Sequence, residues 1–277
     1  MVGEMKFALY GLHRDAGGPQ ALASRARAAE EAGFEGLWVG DHLALPPGPG
    51  DELRLEALVA LTFLAAATSR IRLAFGVLVL PQRHPVLLAK QLASLDVLAA
   101  GRLTIGVGAG YVEPELAALG VPMAERGART DEYLAAMRAL WDGTTAFYGR
   151  FVSWDGVVQE PRPVQRPHPP IVVGGHSPAA FRRAARHGNG WYGWQLDVEE
   201  ASHAVTALQE AARTQDRPAG LGPLEISITP PQPIDLDTAR RYAEAGVHRL
   251  VLQPDQPGTA AMDTLIHTAA ESLIGRL

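Results

Sequence analysis

The chain has 277 residues, 47% of them hydrophobic and 20% charged, with a net charge of −5 and no cysteine. This describes a globular protein of a length usual for one α/β barrel; it offers no basic surface for nucleic acid or an anionic membrane and excludes disulfides, thiolate nucleophiles and cysteine-held clusters. No run of about 18 apolar residues is present to span a bilayer, and MVGEMKFALY lacks a basic stretch followed by an apolar one, so a cytoplasmic location is expected.

MKFALY reads as a first strand, followed by a loop from Gly11 to Gly18 and a helix from about Pro19 to Ala32, which Gly33 ends in the left-handed conformation. GLWVGDH is a second strand with Asp41 and His42 at its C-terminal end. DELRLEALVALTFLAAATSR is a second helix, apolar on more than one face, which asks for burial on two sides; a partner subunit, and hence a homodimer, is expected to cover the second. Ile71 to Tyr111 then forms two continuous apolar runs joined by a helical stretch. Such runs suit strands covered on both faces, and the length of the link suits a parallel βαβ crossover. Gly76 interrupts the first run, and Gly106, Gly108 and Gly110 alternate through the second, as glycines do at bulges or close approaches.

Further along come a short helical piece near Glu113 to Leu119 and a helix from about Arg126 to Trp141. The proline-rich segment 143–170 is too long for an ordinary connection and reads as an inserted functional loop or lid. PIVVGG, GWYGW, LEISIT and HRLVLQ are strands five to eight, each followed by a helix. Eight strand-then-helix units argue for a parallel sheet closed into one (β/α)8 barrel over residues 1–277, with a doubly wound open sheet as the alternative.

Chemistry in a barrel belongs at the C-terminal strand ends. There the chain has Tyr10 and His13, Asp41 and His42, Gly76 to Gln82, Gly108 to Glu113, Gly174 to Ser177, Trp191 to Gln195, Thr229 to Gln232, and Gln253 to Asp255. This is no metal-ligand set, and no metal is expected. GVGAGY lacks the helix start of a dinucleotide fingerprint. Gly174-Gly175-His176-Ser177-Pro178 follows a strand and opens a helix, so it suits a phosphate at a helix N-terminus; it equally suits a glycine turn with Ser177 as N-cap and Pro178 at the first helical position. Glu113 and Glu115 read as solvated loop carboxylates.

WVGDH, GVLVLPQRHPVLLAKQLASLDVLAAGRLTIGVGAGY, RGARTDEYLAAMRALW and PRPVQRPHPPIVVGGHSPAAFRRAARHGNGWY together resemble the bacterial luciferase-like superfamily, and within it the deazaflavin-dependent oxidoreductases. The resemblance implies a luciferase-like TIM barrel, usually dimeric, that holds deazaflavin coenzyme F-420, or alternatively FMN, at the C-terminal rim. Carried over by position, it places Asp41 and His42 beside the ring, with His42 as acid or base, and a non-prolyl cis peptide at Gly76-Val77. It puts Gly108, Ala109 and Gly110 along the ring pocket, where small side chains admit the cofactor, and the phosphate at Gly174, Gly175, His176 and Ser177. Tyr10, His13, Tyr111, Trp191 and Trp194 are the expected substrate pocket. Tyr111 stands where the superfamily's sugar-phosphate dehydrogenases have glutamate, which argues against sugar-phosphate chemistry. The implied activity is hydride transfer between the reduced deazaflavin and a small organic substrate; the alternatives are an FMN-dependent monooxygenase and a non-catalytic flavin-binding barrel.

Overall fold

The computed structural model describes residues 4–14, 16–46, 53–215, 217–256 and 258–277. Eight parallel strands close into a ring: β1 (Lys6–Tyr10), β2 (Gly36–Val39), β3 (Arg72–Phe75), β4 (Leu103–Gly108), β5 (Ile171–Gly174), β6 (Gly190–Trp194), β7 (Glu225–Thr229) and β8 (Arg249–Leu252). Each pairs with its neighbours in chain order, and β8 returns to β1 through Lys6 opposite Arg249. The helices α1 (Pro19–Glu31), α2 (Ala57–Ala67), α3 (Pro85–Leu98), α4 (Glu113–Ala118), α5 (Arg126–Asp142), α6 (Pro178–His187), α7 (Val198–Thr214), α8 (Leu236–Glu244) and α9 (Thr259–Ser272) follow the strands. This is the closed (β/α)8 barrel expected from the sequence, and the open-sheet alternative falls. None of these helices is long and apolar enough to cross a membrane.

Period-two alternation divides the core. Phe7, Leu9, Leu37, Val39, Leu73, Phe75, Ile105 and Trp191 face outward onto the helices, in one large cluster. Ala8, Tyr10, Trp38, Ala74, Val172, Tyr192 and Val251 face inward, joined by Val77 and Trp194. The inward side is therefore unequal: aromatic on β1, β2 and β6, and small on β3 and β4.

Three expectations change. The apolar run 71–80 is broken. Leu73 lies opposite Leu103, but beyond the break Leu78 lies opposite Val107, so Gly76-Val77 adds one residue to that edge as a bulge. The second helix starts at Ala57, because the Glu56 side chain accepts the Val59 N–H at 2.8 Å and caps it there. The chain before it is tied to the loop after β1 by the Leu55 N–H to the His13 carbonyl at 2.9 Å; Asp51 and Glu52, placed in that helix from the sequence, lie outside the described residues. The segment 143–170 forms a short hairpin, Phe147–Tyr148 against Ser153–Trp154, and then runs along α3. Gln159 donates to the Val86 carbonyl and Gln165 to Asp96 and the Leu103 carbonyl, so the segment is strapped to the outside of the barrel. None of its residues lines the cavity at the strand ends, where a lid would have to reach.

Candidate active site

A cavity of about 910 Å³ opens at the C-terminal mouth, a size usual for sites that enclose small molecules. Its lining includes Asp41, His42, Gly76, Val77, Gly108, Ala109, Gly110 and the whole turn from Gly174 to Ser177, together with Tyr10, Tyr111 and Trp194. His13 and Trp191 do not line it. Trp191 points outward by strand alternation, and its indole N–H donates to the Gly175 carbonyl at 2.9 Å, so it supports the turn from behind. His13 is 1% exposed and packs its ring edge-on to Tyr10. Burial, with the charges of Arg14, Arg54 and His42 acting in the same sense, lowers its pKa to about 3.

His42 and Asp41 are neighbours with different surroundings. The Asp41 carboxylate is buried and saturated: Arg83 grips both oxygens at 2.5 and 2.7 Å, and the Val79 N–H donates to one at 2.9 Å. Arg83 also reaches Glu56 at 2.5 Å. Asp41 thus anchors the chain that emerges from the bulge, and its oxygens are spent on holding structure. His42 Nδ1 lies 3.2 Å from Glu115 Oε2. A carboxylate only accepts, so the proton is on Nδ1 and the Nε2 lone pair is left toward the cavity, 3.4 Å from the Tyr111 hydroxyl. Glu115 is 3% exposed; its other oxygen accepts the Leu43 N–H and, at 3.0 Å, the Ala44 N–H. A buried carboxylate that fixes an imidazole's tautomer and orientation is the arrangement a proton-transferring histidine needs.

Sequence reasoning read Glu115 as solvated and gave Arg83 no role. The only local hint for Glu115 is its place in the first turn of α4, next to Leu116, which is buried; that hint does not name His42 as its partner.

The glycines make room for Val77 before they make room for any ligand. A Cβ on Gly108 would stand 2.8 Å from Val77 Cγ2, and one on Gly174 2.8 Å from Val77 Cγ1. On Gly106 it would meet the Phe75 carbonyl oxygen at 1.8 Å. The Gly76-Val77 peptide is cis, and the Val77 side chain forms an apolar platform in the cavity wall, between β3, β4 and β5. Across β5, Gly175 adopts φ 115°, a conformation open to glycine. Ser177 caps α6 by accepting the Ala180 N–H at 3.2 Å, with Pro178 in its first turn. His176 Nε2 accepts the Trp194 N–H at 3.1 Å, and desolvation of the ring lowers its pKa. Arg183, in α6, and Arg126, whose Nε donates to the Gly110 carbonyl at 3.1 Å, also line the cavity; Arg183 is braced by Asp131 at 2.6 Å. Both readings of the turn hold together: a capped helix start, and a positive end facing the cavity.

These features fit a planar tricyclic redox ring with a phosphate tail: a cavity of sufficient size, a flat apolar platform and a cationic turn to one side. The profile of the family described as luciferase-like monooxygenase matches residues 5–270. An uncharacterized protein of Mycobacterium tuberculosis is 35% identical over 269 residues, covering 90% of this chain and 93% of its own. The FMNH2-dependent dimethylsulfone monooxygenase of Pseudomonas putida is 33% identical over 171 residues, 60% of this chain and 46% of that one. Among solved structures, monooxygenase RslO1 from Streptomyces bottropensis superposes with a TM-score of 0.78 at 24% identity, covering 98% of this chain and 99% of that one. An F-420-dependent secondary alcohol dehydrogenase, in complex with an F-420–acetone adduct, also gives 0.78, at 17% identity and 95% and 98% coverage. The two superpositions carry the fold, and the profile match carries the kinship: the chain belongs to the luciferase-like monooxygenase family.

Proposed function

We propose that the protein is a deazaflavin-dependent oxidoreductase acting on a small organic substrate at the alcohol or carbonyl level. The observation that carries this reading is the Glu115–His42 pair, with Nε2 turned to the cavity. When bound, the coenzyme supplies hydride exchange with a substrate carbon. His42 Nε2 takes the hydroxyl proton as an alcohol becomes a carbonyl, or returns it in the reverse direction, and Glu115 stabilises the imidazolium in between. Val77 bears the ring, and the Gly174–Ser177 turn holds the phosphate. The walls around Tyr10, Tyr192 and Trp194 exclude water from the reacting carbon.

A second reading, an FMN-dependent monooxygenase, draws on the 33% identity to the dimethylsulfone enzyme. Titration with each coenzyme separates the two: micromolar binding of FMN with no response to F-420 removes the first. Steady turnover of any substrate by the loaded protein removes a non-catalytic barrel.

We also propose that the working form is a homodimer. Val59 and Leu87, on α2 and α3, are 63% and 59% exposed, and Leu53 and Phe63 are exposed nearby in sequence; apolar side chains in such numbers on a surface mark contact sites. A monomeric mass at micromolar concentration contradicts this.

A further inference from the structure

The rim across the mouth from His42 carries three amides to which the reading above gives no task. Gln195, Gln232 and Gln253 follow β6, β7 and β8, neighbouring strands in the ring, and all three line the cavity. In a closed ring of eight, β6 lies opposite β2, so this arc faces His42 and the Val77 platform. Each glutamine sits on a constrained backbone. Gln195 holds φ 52°, a left-handed conformation that glycine would adopt at less cost. Gln232 and Gln253 each precede a proline, Pro233 and Pro254, whose ring disfavours helical backbone for the residue before it. Within the described residues, no hydrogen bond engages any of the three side-chain amides. The charged groups of the lining are occupied by contrast: Asp41 by Arg83, Arg183 by Asp131, Arg126 by the carbonyls of Gly110 and Met123, and Arg14 and Arg54 by partners of their own. Asp255 is exposed, so water screens it. Next to the amides the wall is aromatic, with the Trp194 ring 4.9 Å from that of Tyr10 and 6.5 Å from that of Tyr192.

We infer that Gln195, Gln232 and Gln253 form a neutral hydrogen-bonding subsite, and that the substrate is an uncharged, flat molecule with an amide-like group at the end remote from its reacting carbon. This rests on the reading of His42 as the proton-transferring group. A carboxamide donates through its nitrogen and accepts through its oxygen, so it matches a neutral group that does both. It offers an ion no counter-charge, and taking an ion out of water without one is costly. Amides carried on constrained backbone also give up less freedom when a ligand binds. The aromatic wall receives the flat body, and the reacting end then lies between His42 and the Val77 platform. The polyol chain of a flavin-type coenzyme offers the same chemistry, and the test separates the two.

Calorimetric titration of the full-length protein with benzamide, acetophenone and benzoate, three molecules of one shape, reads the subsite without any coenzyme. Benzamide is expected to bind about fivefold or more tightly than acetophenone, which lacks its N–H donors, and than benzoate, which is charged. The advantage over acetophenone falls to near one in Gln195→Leu/Gln253→Leu, while FMN and F-420 affinities move less than about threefold. In Gln253→Glu the cation benzamidinium gains about tenfold on benzamide, because the same position now carries a carboxylate. Equal affinities for benzamide and acetophenone in the unaltered protein, benzoate binding most tightly, an advantage that persists in the folded Leu pair, or a Glu variant that gains nothing overturns the proposal. So does a Leu pair that loses coenzyme affinity with its benzamide advantage intact, which assigns the amides to the coenzyme's chain. If neither coenzyme binds but the advantage is present and vanishes in the Leu pair, the subsite stands and the coenzyme reading falls alone. Thermal melting monitors the fold, and the single Gln253→Leu variant carries the same comparison if the pair is unstable.

Discussion

At the N-terminal floor of the barrel, Arg249 is 4% exposed and fully engaged: Glu35 takes Nε and Nη2 at 2.8 and 2.9 Å, and Glu225 and Ser227 take Nη1 at 2.9 Å each. At the C-terminal mouth, Arg83, Asp41 and Glu56 repeat that arrangement, yet one residue further along His42 lines the cavity with its Nε2 met by the Tyr111 hydroxyl at 3.4 Å. Both ends spend buried charge on the same kind of pairing. At the mouth, the contact of His42 Nε2 is long, at 3.4 Å, and is made to a tyrosine that is 77% exposed. Saturation marks a group that holds the barrel together; a weakly engaged lone pair on a fixed ring at a cavity marks one that meets a ligand.

The comparison breaks most easily at His42. His42→Ala is expected to lower turnover by about 10²–10⁴, the range for loss of a general acid–base group, with coenzyme affinity nearly unchanged. Equal activity in the variant would place His42 with Asp41 among the holding groups. Glu115→Gln, which leaves the hydrogen bond possible but removes the charge, should give a smaller loss and a shifted pH–rate profile. The floor should answer in the other currency: Arg249→Met removes the buried partner of Glu35 and Glu225, which keep only Arg72 at 4.0 Å and Lys6 at 2.5 Å, and costs about 3 kcal/mol of stability, the lower end for a broken buried pair because both carboxylates are partly hydrated and retain a second cation. Urea titration measures it, and kcat per folded molecule should be unaltered.

His13 sharpens the contrast through pH. Its pKa is near 3 in the folded protein against about 6.5 when unfolded, since burial and then the nearby cations disfavour the charged form. Folding therefore expels a proton: the stability from this site is complete above about pH 6.5 and declines as pH falls toward 3. Between pH 7.5 and 5 the loss is about 2 kcal/mol at 1.36 kcal/mol per pH unit. Denaturant midpoints of His13→Leu should be flatter over that interval; an unchanged slope would mean the ring is hydrated and belongs to the cavity after all.

Much of the fold was legible because its signals are local. Gly33 has φ 89° where the helix was expected to end, the continuous apolar runs became ring strands, and Ser177-Pro178 caps α6. What escaped is long-range. Glu115 is buried by the approach of α4 to the loop after β2, 73 positions away from His42, and no spacing within EPELAA distinguishes it from exposed Glu113. Trp191 was a different kind of miss: GWYGW alternates, so placing Tyr192 and Trp194 inward by period two would have turned Trp191 to the helices.

The smallest effect tests the wall itself. Gly108 has an ordinary backbone conformation, so alanine is tolerated there until its Cβ meets Val77 Cγ2 at 2.8 Å. The side chain of Val77 then has to turn into the space above the platform, and overpacking of this kind costs about 1 kcal/mol of stability. Coenzyme affinity should fall by about tenfold, or 1.4 kcal/mol, because the platform is no longer flat. If that is the cause, Val77→Ala in the Gly108→Ala background removes the displaced methyls and restores affinity to within a few-fold. A Gly108→Ala variant that no second change at position 77 rescues would mean the glycine itself touches the ligand, as the bare sequence suggested, and the small-residue wall would then be recognition surface in its own right.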